Sequence, residues 1–398
     1  MPRILIISTS QPSSNPRMRK SADALAKNGN TVHVLYAFRT QWATDADGAI
    51  LHSALWTFER IGGDPYTERL RYFWTRLLRK AFEVIGSIER SLCQGFSAYV
   101  QRGVNWEPDL IIGHNPGALG PLVEISKRLN IPALFDAEDF HRGETALQNA
   151  ATVRVTQLEN TLLPQLTHMT AASPMTADAY RNLFPQLSVT TVNNAFPLHY
   201  ITKEPTTGNE KSLSIVWFSQ VIGLDRGLGE FMQCLQFIPN VPISISLLGL
   251  ASAAVKNEIS RLKLSPNHRV QFHQPKPEKE LFHFVAQHEI GLALEPGFSL
   301  NNELARSNKI YSYPLSGCYT LASKTKAQIQ FFEEFPKAGQ LIELGHPESI
   351  ALVLQGLFDN RLDLLEKRKK AWLLAKTSLN WDRESQRLIS LVKNLLVK

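Results

Sequence analysis

Cysteine is scarce in this chain of 398 residues: three, at Cys93, Cys234 and Cys318, odd in number, far apart and without metal-ligand spacing. That excludes a disulfide framework and a zinc cage, and leaves three reduced packing residues. Long apolar runs are missing too. Apolar residues make up 43% of the chain, yet no stretch approaches the roughly 18 to 20 consecutive apolar residues of a membrane span. Met1-Pro2-Arg3 leads straight into Ile4 to Ile7, a strand's length, so no signal peptide is expected. The expected location is cytoplasmic, with at most a peripheral place on the inner face of the cell membrane. There is no G-x-G-x-x-G, so a dinucleotide cofactor is not indicated. Nor is there a helix-turn-helix, RNP or zinc pattern, so nucleic acid is not an expected partner despite a net charge of +7. A small anionic ligand and an anionic membrane surface account for that charge as well.

What is present is an alternation of apolar strands and amphipathic helices in both halves. Arg3 to Ser8 reads as a strand, Arg17 to Lys27 as a helix with Met18, Ala22, Leu25 and Ala26 on one face, and Thr31 to Tyr36 as the next strand. A second unit runs from Asp109 through His114, a helix over Ala118 to Arg128, and Ile131 to Asp136. In the C-terminal half, Leu213 to Phe218, Ile243 to Gly249, Arg269 to His273 and Ile290 to Leu294 read as strands. This pattern predicts an α/β chain with two doubly wound parallel sheets. Such sheets bind ligands at the carboxyl ends of their strands.

The stretch from Glu289 to Ser323 is the richest of those ends. Glu295-Pro296-Gly297 stops the apolar strand, a polar loop follows, and a short helix over Asn308 to Leu315 ends at Gly317 before a strand from Cys318 to Ala322. The loop gathers Glu295, Asn301, Asn302, Glu303, Arg306 and Lys309. Carboxylates can take paired sugar hydroxyls, and Lys and Arg near a helix start can hold phosphate oxygens. A solvated charged loop is the competing reading. Between Glu68 and Arg90, five bases (Arg69, Arg71, Arg76, Arg79, Lys80) interleave with aromatic and aliphatic residues. Helical spacing puts Phe73, Leu77 and Lys80 on one face and Trp74, Leu78 and Phe82 on another. That suits an interfacial helix, or an amphipathic helix packed on its own domain.

The order Ala305-Arg306-Ser307, Lys309, Tyr313, Gly317 resembles the donor-binding segment of retaining GT-B glycosyltransferases of the family 4 type. Further motifs follow the family's order. Asn15-Pro16-Arg17-Met18-Arg19 is similar to its PR-x-R opening, and Pro108 to His114 followed by Ile131 to His141 to its PD-x-I-x-x-H and D-x-HE blocks, with Glu138 in place of the usual His. Gln220, Gly223, Arg226 and Gly227 stand where the family has its GR…KG turn. The resemblance covers nearly the whole chain outside about 41–102, which is expected to be a helical insertion. It implies two Rossmann-like domains facing a central cleft: residues 1–202, 203–378, and a closing helix over 379–398 that crosses back.

The resemblance also implies roles. Arg226 and Lys309 neutralise the leaving nucleoside diphosphate and His114 lies by the donor sugar. Gln220, Gly223, Gly227, Glu295, Glu303, Arg306, Ser307 and Ser312 line the donor. Arg17, Arg19, Glu138 and Asp139 stand on the acceptor side. No metal and no cofactor are implied, because positive side chains and a helix start stabilise the leaving group. Glu295 and Glu303 satisfy an E-x7-E spacing, whereas the register set by Tyr313 and Gly317 puts Ser312 where the ribose-binding Glu belongs; the helix-and-glycine register is preferred. The expected activity is retaining transfer of a sugar to a glycan, lipid-linked or small-molecule acceptor, in cell-surface polysaccharide or glycoconjugate synthesis. A sugar-nucleotide epimerase or hydrolase, and a catalytically weakened nucleotide-sugar-binding subunit, are the alternatives.

Overall fold

The computed structural model describes residues 1–147, 149–208 and 211–397. The chain forms two compact units. One comprises Met1–Asn194, Ser299–Asn301 and the chain from Ser385 onward; the other comprises Ala195–Phe298 and Asn302–Glu384.

The first unit is built on strands β1 (Arg3–Ser8), β2 (Thr31–Ala37), β3 (Thr57–Ile61), β4 (Leu110–His114), β5 (Ala133–Ala137), β6 (His168–Ala171) and β7 (Ser188–Thr191). They form a parallel sheet in the order β3-β2-β1-β4-β5-β6-β7. Ile4, Leu5, Ile6 and Ile7 are all fully buried, so β1 has no polar face and reads as a continuous apolar run. Each such side chain contributes about 1.5 to 3 kcal/mol of burial. The chain winds outward from β1 to β3, then returns to place β4 on the other side of β1. That switch opens a crevice beyond the carboxyl ends of β1 and β4.

The second unit repeats the plan with β8 (Leu213–Val221), β9 (Ile243–Leu250), β10 (His268–His273), β11 (Ile290–Ala293), β12 (Tyr319–Ser323) and β13 (Gly339–Ile342), ordered β10-β9-β8-β11-β12-β13 and parallel throughout. Its switch point lies between β8 and β11. A helix over Lys309–Leu315 follows β11 and rests on it through an unusual contact: a Cβ on Gly291 would lie 2.2 Å from the Tyr313 ring, and the Tyr313 hydroxyl donates to the Leu292 carbonyl at 3.0 Å. Glycine is the residue that lets the ring sit flush on the strand. Gly317, at φ +76°, then ends the helix, with its N–H on the Pro314 carbonyl and that of Cys318 on the Tyr313 carbonyl, both at 2.9 Å.

Two expectations change in detail. Residues 41–102, expected to be helical, contain helices over Gln41–Ser53, Arg69–Val84 and Ile88–Leu92 and the start of Phe96–Asn105, but also β3. Its sequence, TFERI, carries two charges because an edge strand buries little: only Ile61 is fully covered. The division between units falls after Asn194, eight residues before the expected boundary. Residues from Ala195 on pack with the second unit: the Tyr200 ring stacks on Phe282 at 4.9 Å, and Trp372 Nε1 donates to the Thr202 carbonyl at 3.1 Å. No helix among the described residues is long and apolar enough to cross a membrane.

Candidate functional site

Each unit carries a polar cluster at the carboxyl ends of its strands. In the first, Asp136 near the end of β5 is the centre. Its two oxygens accept from Arg17 Nε and Nη2, both at 2.7 Å, and a third bond comes from the Thr170 hydroxyl. Arg17 also donates to the Val192 carbonyl at 2.8 Å. Burial alone would push the Asp136 carboxyl up. The Arg17 guanidinium and then His114 outweigh it and hold the group well below the usual carboxylate range.

His114, the last residue of β4, is buried, with Nδ1 at 3.1 Å from Asp136 Oδ2 but poorly aligned for a hydrogen bond. Its Nε2 has no hydrogen-bond partner among the described residues. A buried imidazole nitrogen without a partner is costly unless something binds there. Asn115 follows at φ +71° and ψ 148°, a conformation that non-glycine residues rarely hold. It is tied down at Oδ1 by Ser8 Oγ at 3.2 Å and Asn15 Nδ2 at 3.3 Å. Glu138 and Asp139, both partly buried, lie just beyond β5. Burial and then the Asp139 charge push the Glu138 carboxyl up from its ordinary value. Asp139 accepts from Asn301 Nδ2 at 3.0 Å, and Asn301 Oδ1 accepts from the Phe140 N–H at 2.7 Å.

In the second unit the centre is Glu295, immediately beyond β11. Its Oε1 accepts from Ser307 Oγ at 2.8 Å and from Lys309 Nζ at 3.3 Å, and its Oε2 from Asn302 Nδ2 at 3.0 Å. Burial would raise the Glu295 carboxyl, but the Lys309 ammonium and these bonds bring it below its ordinary value. Lys309 Nζ also lies over the Trp217 ring, 5.9 Å from its centroid. Ser312, one turn on in the same helix, is buried and donates to the Lys309 carbonyl at 3.2 Å. The turn after β8 comes close to the same strand end. Gly227, at φ +75°, begins the helix Leu228–Gln233, and a Cβ there would stand 3.2 Å from Leu294 Cβ. That close approach sets Arg226, exposed and donating to Ser219 Oγ at 3.3 Å, at the switch point with Gln220 and Gly223.

Several expected contacts are used inside the protein. Arg17 is buried in its pairing with Asp136, and Arg19 is half-buried on the same helix. Arg306 packs its guanidinium over Phe331 at 5.2 Å and donates to Glu334 at 2.7 Å, pinning the helix Lys326–Glu334. Glu303 accepts from the Lys326 N–H at 3.1 Å at the start of that same helix. Its carboxylate thus meets the start of a helix. The sequence pattern places Asp136 in the D-x-HE block without its tie to Arg17 and gives Asn115 no role, and the chain holds one Asp-x-Asp, Asp45 and Asp47, where none was expected. Asp47 is buried and accepts from Gln11 Nε2 at 3.0 Å and the Ser13 N–H at 2.8 Å. The spacing of Asp45 and Asp47 was legible; the strain at Asn115 was not, since only backbone geometry reveals it.

No family model and no curated protein matches the sequence. Solved structures do. HepE of Anabaena, in complex with UDP and glucose, is 14% identical, with 99% of this chain and 100% of that one covered and a TM-score of 0.70. Sucrose-phosphate synthase of Thermosynechococcus elongatus is 13% identical over 100% of both chains, with a TM-score of 0.71. A glycosyltransferase of Rickettsia africae is 12% identical over 99% of this chain and 98% of that one, with a TM-score of 0.67. At such identities the likeness is one of architecture, and with both sheets wound in the order described, the chain has the GT-B glycosyltransferase fold.

Proposed function

We propose that the protein transfers a sugar from a nucleoside-diphosphate sugar to a hydroxyl acceptor, with retention and without a metal. The observation that carries this reading is the cradle beyond β11: a largely covered carboxylate, Glu295, locked by Ser307, Asn302 and Lys309, with Arg226 exposed at the same strand ends. A departing nucleoside diphosphate gains negative charge, and Arg226 and Lys309 supply the opposite sign. Each contributes on the order of 3 kcal/mol to the transition state. Glu295, kept ionised, receives sugar hydroxyls. HepE, whose fold this chain shares, is complexed with UDP and glucose, and a uridine nucleotide is our first choice of donor. Glu138, whose carboxyl sits above its ordinary value, accepts the acceptor's proton. The acceptor class we propose is a glycan or lipid-linked sugar of a cell-surface polysaccharide or glycoconjugate pathway. No cofactor enters this scheme.

Two observations favour other readings. Glu138 and His114 Nε2, which has no hydrogen-bond partner among the described residues, suit an epimerase or hydrolase, and Ser312 in place of a ribose-gripping carboxylate suits a binding subunit. Isothermal titration with UDP, GDP and ADP, followed by incubation of the matching sugar nucleotides with and without a mixture of glycan acceptors, separates the three. Transfer that depends on acceptor, and that falls by about a hundredfold in Arg226→Ala and Lys309→Ala, is expected. Epimer or free sugar formed at enzymatic rates without acceptor points to the second reading, and binding without turnover to the third. Wild-type kcat in both variants overturns the site.

A further inference from the structure

The helix Arg69–Val84 has no buried residue. Its exposed apolar side chains are not scattered. At about 100° per residue, Leu70, Phe73, Trp74, Leu77, Leu78 and Val84, continued by Ile85, fall in one outward stripe about 140° wide. Leu70 is 90% exposed, Trp74 60%, Leu77 59% and Val84 86%. The opposite face is the one that meets the protein: Thr75 Oγ1 donates to the Gly62 carbonyl at 2.9 Å, the Tyr72 ring stands edge-on to Phe38 at 5.8 Å, and Phe82 turns inward under Arg90. The structure thus divides the apolar residues differently from the two-face pattern read in the sequence, since Phe82 leaves the outer stripe.

Bases line the rims of this stripe. The same projection puts Arg69, Arg76 and Lys80 along one side and Arg71 along the other. The acidic residues of the segment are already engaged, Glu68 by Arg60 and Arg71 and Glu83 by Arg154. A helix with aromatic and aliphatic residues outward and bases at the water line is the arrangement that lies in the plane of a bilayer surface, its apolar side among the acyl chains and its cations among lipid phosphates. A second copy of the chain is a poorer occupant, because two such stripes face to face would bring basic rims against basic rims with no free carboxylate between them.

We infer that the stripe from Leu70 to Ile85 is a docking surface for an anionic lipid bilayer. The helix follows β3, at the carboxyl side of the first sheet, the side that also carries His114 and Glu138. Docking therefore holds that side of the unit toward acceptors anchored in the membrane. The inference does not rest on the donor site, which lies in the other unit.

The test is flotation of the full chain with phosphatidylcholine vesicles containing about a third phosphatidylglycerol, and with phosphatidylcholine alone, at low and high salt. Wild type is expected to float with the anionic vesicles and to detach as salt rises, because the charge contribution is screened. Trp74→Ser with Leu77→Ser, and separately Arg69→Glu with Arg76→Glu and Lys80→Glu, alter exposed positions only, and each set is expected to lower partitioning by about tenfold or more. UDP titration of the same variants, unchanged from wild type, shows that the fold and the second unit are intact. Wild type remaining in the soluble fraction with anionic vesicles at low salt overturns the inference. So does a concentration-dependent dimer, in sedimentation velocity, that the Trp74→Ser, Leu77→Ser variant abolishes.

Discussion

Arg17 and Asp136 lie 119 residues apart in the chain and meet through two hydrogen bonds of 2.7 Å, with 1% and 5% of their side chains exposed. The pair ties the first helix to β5 and gives His114 its neighbour. Removing one partner leaves the other charged and buried, which costs about 3 to 5 kcal/mol. Arg17→Met is expected to lose that much in urea unfolding at pH 7. The pH dependence has a definite sign. Because the folded carboxyl is held below its unfolded value, its stabilisation is complete above about pH 4 and fades as pH falls toward the folded value. The stability gap between wild type and Asp136→Asn should therefore narrow from pH 4 downward. A gap that widens on acidification contradicts the assignment.

Glu138 has the opposite displacement, so as a proton acceptor it becomes competent only as pH rises through a value above the ordinary glutamate range. Transfer rate should climb with pH on that limb. Glu138→Gln should remove the limb and lower kcat by about a hundredfold or more. Asp139→Asn should move the midpoint down, because the Asp139 charge helps to raise it. A pH profile unchanged in both variants denies Glu138 that role.

Glu303 offers a test of register. If its carboxylate serves the start of Lys326–Glu334 and not the donor, Glu303→Ala should cost about 1 kcal/mol of stability while leaving the Kd for UDP as it was. Thermal unfolding and titration calorimetry on one preparation give both numbers. A tenfold loss of UDP affinity with unchanged Tm supports the E-x7-E register instead.

The seat of Tyr313 on Gly291 sets where Lys309 stands. Gly291→Ala puts a methyl into the ring, and such overpacking costs about 1 to 3 kcal/mol. Since Lys309 begins the displaced helix, the same variant should weaken UDP binding although it touches no ligand; unaltered affinity in a destabilised protein would separate the two effects.

Most of both sheets was legible because parallel strands covered on both faces are written as apolar runs, and because a glycine such as Gly317 marks a helix end. β3 was not, since an edge strand with TFERI needs little apolar surface. Of the two clusters, the one around Glu295 could be read from neighbours within fifteen positions. The one around Asp136 could not: its partners come from Arg17, His114 and Thr170, and nothing local in the sequence distinguishes an arginine that meets a ligand from one that meets a buried carboxylate. Arg306 shows the same limit, a cation in a polar loop that spends its charge on Glu334.

The placement of Arg69–Val84 has a consequence for inheritance. The segment leaves the sheet at β3, an edge strand, and the chain does not re-enter until β4. Its outer stripe supports no strand pairing and no core, so it can drift without penalty to folding or to donor chemistry. On the function and docking proposed above, cellular address and catalytic competence are written in separate paragraphs of the same gene, and descendants sharing one sugar donor can come to work at different surfaces by rewriting the seven positions of the outer stripe.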